Sequence, residues 1–186
     1  MLKKKDKKRG WCIQIEGYSG SGKTSLSIKI KSKVEKLIGK TIILDGDNCR
    51  SFFKSFGYKV GYTKKDRTQG SYSRSELINL FNINRINVIH PALGLNGKGL
   101  KIFKKKIKNF IIIYVKSNVT QIKRFGKKNT IYKLKKNVVG VDIMPDIPRY
   151  PHIVIENNFT RSTSSLAREL NSKLEKLLIW IIFNIA

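Results

Sequence analysis

The sequence predicts an α/β fold, a doubly wound parallel sheet of five strands with helices on both faces, and three observations carry that expectation. Short apolar runs alternate with longer stretches at helical spacing. The run 110–115 is apolar without interruption, as a parallel strand covered on both sides must be. The first strand feeds a glycine-rich turn that opens directly into a helix. A chain of 186 residues is sized for one such domain, and neither an internal repeat nor a low-complexity linker divides it.

Taken in order, strand one is residues 11–16. The turn after it, Gly17-Tyr18-Ser19-Gly20-Ser21-Gly22-Lys23-Thr24, fits the phosphate-loop pattern G-x-x-x-x-G-K-[ST]. A helix follows over 25–38, with apolar Leu26, Ile28, Ile30, Val34, Leu37 and Ile38. Strand two, 41–44, delivers the polar turn Asp45-Gly46-Asp47-Asn48 to the carboxyl edge of the sheet, where ligands of open α/β sheets sit. The basic, aromatic stretch 50–63 reads as a short helix and an excursion that walls a pocket. A helix over 64–82 leads to strand three, 86–89, which ends in His90-Pro91. A glycine-rich loop over 92–99 and a basic helix over 101–109 precede strand four, 110–115. Ser117 caps a short helix to Phe125, and the Lys-rich segment 126–139 has no core of its own, as a mobile lid would. Strand five is 152–155, and a closing helix begins at Ser162.

Composition narrows the function classes. The formal net charge is +27, from 39 Lys and Arg against 12 Asp and Glu, which by itself suits a nucleic-acid binder. The accompanying excess of Ile and Asn is what AT-rich coding produces, so the expected partner is a small polyanionic nucleotide rather than a specific nucleic acid. Cys12 and Cys49 form no C-x-x-C pair, which points to a reducing, cytoplasmic setting without a structural metal. The Lys-rich arm 1–10 lacks the apolar stretch of a secretory signal. The apolar tail 177–186 is too short to span a bilayer, and closes the core or a subunit contact such as a homodimer.

The phosphate loop supplies the donor chemistry. Gly17, Ser19, Gly20, Ser21, Gly22, Lys23, Thr24 and Ser25 form the expected nucleotide cradle, in which successive N–H groups and a helix N-terminus face one anion. Lys23 reaches the β- and γ-phosphates, and the Thr24 hydroxyl meets Mg²⁺. A guanine-reading Asn-Lys-x-Asp element is missing, which argues against a switch GTPase, and Asp-Gly-Asp after strand two favours a small-molecule kinase. Asp45 and Asp47 share the base and metal-organising roles, undivided by sequence.

Five motifs in order now resemble one family. They are the phosphate loop; Leu44-Asp45-Gly46-Asp47-Asn48-Cys49-Arg50; Gly61-Tyr62-Thr63-Lys64-Lys65-Asp66-Arg67; Ile131-Tyr132-Lys133; and Gly140-Val141-Asp142 with Pro145 and Pro148. Together, over residues 11–156, they look like adenylylsulfate kinase, most specifically in Asp-Gly-Asp-Asn-x-Arg. The resemblance implies a P-loop kinase fold with a short lid, ATP and Mg²⁺, and transfer of the γ-phosphate to the 3′-hydroxyl of adenylylsulfate. It also implies that Asp47, Asn48, Arg50, Tyr62, Arg67, Lys133 and Val141 bind the acceptor, Arg50 and Arg67 through its anionic group and Tyr62 by stacking on its base.

Four departures lie on the acceptor side. The family's Asn-Ile-Arg-Arg is Gly70-Ser71-Tyr72-Ser73 followed by Arg74, its Ser-Pro is His90-Pro91, its second stacking Phe is Val138-Val139, and the lid between Tyr132 and Gly140 is shorter. These leave room for another nucleotide-linked acceptor, such as the cytidine diphosphoramidate of capsule biosynthesis. His90, at a strand's carboxyl end, is read either as an acceptor contact or as a hydrogen-bonded turn residue.

Overall fold

The structure, a computed structural model, describes residues 9–93, 96–126, 128–134 and 136–184. Most of the arm 1–10, Gly94 and Leu95 of the expected glycine loop, Lys127 and Lys135 of the Lys-rich segment, and the last two residues of the tail lie outside the described residues.

Five strands, β1 (Cys12–Glu16), β2 (Thr41–Ile43), β3 (Asn87–Ala92), β4 (Phe110–Lys116) and β5 (Ile153–Glu156), form one parallel sheet in the order β2-β3-β1-β4-β5. The expected sheet is therefore the observed one. Its helices are α1 (Lys23–Ile38), α2 (Gly46–Ser55), α3 (Lys64–Ile83), α4 (Gly97–Lys106), α5 (Val119–Phe125) and α6 (Thr163–Asn184). The two-residue period of a strand divides the core. Ile13, Ile15, Ile111, Ile113 and Val115 face α1 and α6, while Cys12, Val88, Phe110 and Ile112 face α3 and α4. Each fully buried Ile or Leu in these layers stabilises the fold by about 1.5–3 kcal/mol, so the sheet holds the loops at its carboxyl edge rigidly.

Local chemistry corrects several boundaries. Asp45 is the N-cap of α2, so Gly46, Asp47 and Asn48 are a helical first turn rather than a polar turn. Thr63 and Asp66 close a capping box on α3. β3 runs through His90 and Pro91 to Ala92 because β1 pairs with it along that length, and Pro91 is tolerated there since β2 on its other side has already stopped. α4 begins at Gly97, where Asp146 accepts from the Gly97 N–H at 2.8 Å, and stops at Lys106, short of the expected span. Asn118, not Ser117, caps α5, its side chain accepting from the Thr120 N–H. In the tail, Leu178 and Ile181 close the core, and Ile179, Trp180, Ile182 and Phe183 are exposed. No helix among the described residues is long and apolar enough to cross a membrane.

Gln14, Glu16, Thr41, Asn87 and His90 are polar side chains buried in this otherwise apolar sheet, and two of them, Glu16 and His90, titrate. The Glu16 carboxyl is buried, accepts from Gln14 Nε2 at 2.6 Å through Oε1, and among the described residues has no partner for Oε2. Burial pushes its pKa up to about 7. His90 is also fully buried, stacks on Phe103, and donates from Nδ1 to the Leu44 carbonyl at 2.6 Å. A carbonyl can only accept, so Nδ1 carries the proton. Burial, with Arg74 nearby, lowers the His90 pKa to about 3. Of its two readings, the hydrogen-bonded turn residue is right in the hydrogen bond and wrong in the turn, since His90 lies within β3.

These shifts have opposite signs in stability. Between pH 4.5 and about 7 the folded chain holds more protons at Glu16 than the unfolded one, so this contribution is present below 4.5 and lost as pH rises through 7. Between 6.5 and about 3 the unfolded chain holds more protons at His90, so that contribution is lost as pH falls. They oppose where they overlap. Urea unfolding is expected to show wild-type stability nearly level across pH 4.5–6.5, where the two cancel, and Glu16→Gln stability rising with pH over the same window as His90 acts alone.

Candidate active site

The turn after β1 becomes a cradle because two of its glycines do what no other residue could. Gly20 and Gly22 have φ of 79° and 92°, the left-handed region, and a Cβ at Gly20 would meet Ile122 Cγ2 at 2.9 Å. Gly22 is the N-cap of α1, with no side chain covering the helix terminus. The loop is braced from two sides, as Tyr132 Oη donates to the Ser19 carbonyl at 2.7 Å and Asn157 Nδ2 to the Ser21 carbonyl at 3.0 Å. Gly17 and Ser21 are buried behind the loop. Ser19, Gly20, Gly22, Lys23, Thr24 and Ser25 line a cavity of about 1340 Å³. That exceeds the volume of about 300–1,000 Å³ usual for one small ligand.

Lys23 is buried, and its ammonium donates to the Tyr18 carbonyl at 2.6 Å, within its own loop. Burial, with repulsion from Lys128, lowers its pKa to about 8 against the pull of Asp45, Asp47 and Glu16. Across the mouth of the loop, Thr24 Oγ1 donates to Asp45 Oδ2 at 2.8 Å, while Asp45 Oδ1 accepts from the Asp47 N–H at 2.8 Å. Residues 21 positions apart thus meet, joining the phosphate loop to the acidic turn. Asp47 is exposed at the cavity, and Lys128 Nζ lies 3.0 Å from its Oδ2. Burial would push the Asp47 carboxyl up, but Lys128, Arg50 and Lys23 hold it below the usual aspartate value. No cluster of three or more His, Cys, Asp or Glu suited to a metal occurs among the described residues. A magnesium ion carried by a triphosphate would need none, since one or two protein oxygens complete its shell, and Thr24 Oγ1 and Asp45 Oδ2 are the pair that could hold it.

The opposite wall is cationic. Arg50 Nη1 donates to the Gly61 carbonyl at 3.0 Å and its guanidinium lies 4.4 Å from the Tyr62 ring centre. Arg67 is buried, donates from Nε to the Tyr62 carbonyl at 2.9 Å and from Nη2 to the Asn137 carbonyl at 3.0 Å, and has its pKa lowered by burial and by Arg50. Neither forms an ion pair among the described residues. Tyr62 stands 53 % exposed and no other aromatic ring among the described residues pairs with it, while Val138 and Val139 line the cavity.

The structure does not bring every expected residue here. Asn48, Lys133 and Val141 are exposed and do not line the cavity, since α2, the 3₁₀ turn Asn129–Lys133 and the bend stapled by Asp142 carry them outward. The segment 126–139 is not coreless, because Tyr132 and Val138 are buried with Ile122. Lys128, Arg74, Asn96 and Asn157 also line the cavity and were not singled out as site residues from the sequence. For Asn157 a signal existed, its position directly after β5 at the carboxyl edge.

A family model described as adenylylsulphate kinase matches residues 9–156, most of the chain. The chain belongs to the adenylylsulphate kinase family. It is a P-loop kinase, a phosphotransferase with a hydroxyl acceptor. The adenylyl-sulfate kinase of Phocaeicola vulgatus is 28% identical to this kinase over 96% of the chain and 89% of that protein. The cytidine diphosphoramidate kinase of Campylobacter jejuni is 27% identical over 82% of the chain and 89% of that protein. Among solved structures, APS kinase of Mycobacterium tuberculosis in complex with AMPPNP and APS shares the fold with a TM-score of 0.74 and 24% identity, over 90% of this kinase and 98% of that chain.

Proposed function

We propose that this kinase transfers the γ-phosphate of ATP to the 3′-hydroxyl of adenylylsulfate, giving phosphoadenylylsulfate. The observation that carries the reading is the Thr24–Asp45 contact, which joins a phosphate cradle to an acidic turn at one cavity also walled by Arg50, Arg67 and Tyr62. Asp45 has both oxygens engaged, so it organises the metal with Thr24, whereas Asp47 keeps a carboxylate facing the cavity and accepts the proton of the acceptor hydroxyl. The bound Mg²⁺ would neutralise the charge that builds on the phosphates. Lys23 leaves the Tyr18 carbonyl for the β- and γ-phosphates, Lys128 releases Asp47, and Arg50 and Arg67 hold the acceptor anion. Segment 126–139 acts as the lid, and its links from Lys128 to Asp47 and from Tyr132 to Ser19 support that role. Free Cys12 and Cys49 suit a reducing cytoplasm. A homodimer through the exposed apolar turns of α6 is the accompanying partner reading, tested by sedimentation of wild type against Trp180→Glu.

A second reading, transfer to cytidine diphosphoramidate, draws on the base pocket. Tyr62 is met by guanidinium rather than by a second ring, and a single aromatic face suits a small pyrimidine as well as a purine. The test is ADP release with ATP, Mg²⁺ and each acceptor in turn. Turnover with adenylylsulfate is expected, and turnover confined to the cytidine compound would replace the first reading with the second. Tyr62→Ala is expected to raise the KM of the true acceptor about tenfold while leaving the KM of ATP unchanged.

A further inference from the structure

Arg74 lines the cavity beside Arg67 and Ser71, yet the protein gives it almost nothing to bind. Its only hydrogen bond among the described residues is a long one, from Nη2 to Ser71 Oγ at 3.3 Å, and Nε is closed off from solvent without a partner. No carboxylate among the described residues pairs with it. The groups that act on it most strongly besides burial are Cys49, Arg50 and Arg67, two of them cations. A guanidinium presents five N–H donors, and leaving them half-buried and largely unmet among like charges is unfavourable unless a ligand takes them.

Helix α3 is shaped around this side chain. Gly70 lies inside the helix, where glycine destabilises relative to alanine, and a Cβ there would stand 2.8 Å from Arg74 Nη1. The missing side chain is the space that lets the guanidinium fold back toward the acceptor wall. Gly70 is also the position at which the family pattern has Asn, so a cation from the next turn stands beside the place an amide would fill.

We propose that Arg74 is a third anion-binding arginine of the acceptor site, taking a phosphate or sulfate oxygen that Arg50 and Arg67 do not hold. The inference rests on the kinase reading for the identity of the cavity, but not on which nucleotide the acceptor carries. Ser71 Oγ and the Asn96 side chain lie on the same wall and border the same anion.

The test titrates inorganic sulfate into the full chain whose phosphate loop is already filled by Mg²⁺ and a non-hydrolysable ATP analogue. Binding of the analogue is read first and reports on the donor site alone. The sulfate comparison is then made between chains differing at position 74 or 70, so it decides Arg74 whichever way the first reading falls. Arg74→Met is expected to lose sulfate affinity by about tenfold or more, with Arg74→Lys between the two. Its ligand-free melting temperature is expected to match or exceed wild type, because a half-buried cation with few partners is gone. Gly70→Ala keeps Arg74, strengthens the helix and pushes Nη1 out of place, and is expected to weaken sulfate binding as well. Wild-type affinity in Arg74→Met, or a wild-type chain indifferent to sulfate, would overturn the proposal, and a lower melting temperature with unaltered sulfate binding would make Arg74 a structural residue.

Discussion

Lys23→Met is expected to cut turnover severely without weakening the fold. The ammonium is buried with one hydrogen-bond partner among the described residues, the Tyr18 carbonyl at 2.6 Å, and its lowered pKa reports how unfavourable that position is without phosphate. Methionine fills similar space and carries no charge to desolvate, so the ligand-free melting temperature should stay level or rise. Loss of the cation from the developing phosphate charge should lower kcat by about 10²–10³-fold, and the stabilisation that ATP and Mg²⁺ give wild type in thermal melts should largely vanish. Two pH effects follow. In the free protein the unfolded state holds more protons at Lys23 between pH about 8 and 10.5, so this contribution to stability rises across that window and the variant lacks the slope. The value of kcat/KM for ATP should decline above pH about 8 as the free ammonium titrates. A variant with undiminished turnover would remove the phosphate loop from the chemistry.

Asp47→Asn and Asp45→Asn should separate chemistry from folding. Asp47 makes one exposed ion pair, with Lys128, a contact of the kind that contributes about 0–1 kcal/mol, so Asp47→Asn should melt like wild type. Its kcat should nevertheless fall by about 10²–10⁴-fold, the range for loss of a positioned base, with the KM of ATP little changed. Asp45 both caps α2 and accepts from Thr24. Asn remains a good cap, so Asp45→Asn should keep the helix and instead weaken Mg²⁺ dependence, whereas Asp45→Ala should also cost about 1 kcal/mol in urea unfolding. The division of roles fails if Asp47→Asn retains full kcat, or if Asp45→Asn leaves the magnesium titration unchanged.

Some of this was legible before any coordinates. A phosphate loop is a local pattern, since its glycines, lysine and threonine follow one another along one turn, and the buried strand before it and the helix after it show in adjacent periodicity. The alternation of apolar runs and helical stretches likewise determined the parallel sheet, and Asp45 and Asp47 were placed at its carboxyl edge by their order in the chain. Boundaries were less visible, because a cap such as Asn118 competes with an equally suitable neighbour, Ser117, and backbone geometry chooses between them.

What only the tertiary structure decided is which distant groups meet. That Thr24 engages Asp45, that Lys128 reaches Asp47 across 81 positions of chain, and that Arg74 turns toward the cavity while Lys133 and Val141 turn away all depend on how helices seat on the sheet. The burial of Glu16 and His90 was equally hidden, since a polar letter in a strand does not say which face will be dry. Composition, period and turn chemistry are properties of neighbours in sequence. Contacts and pKa shifts are properties of neighbours in space, and packing alone brings those together.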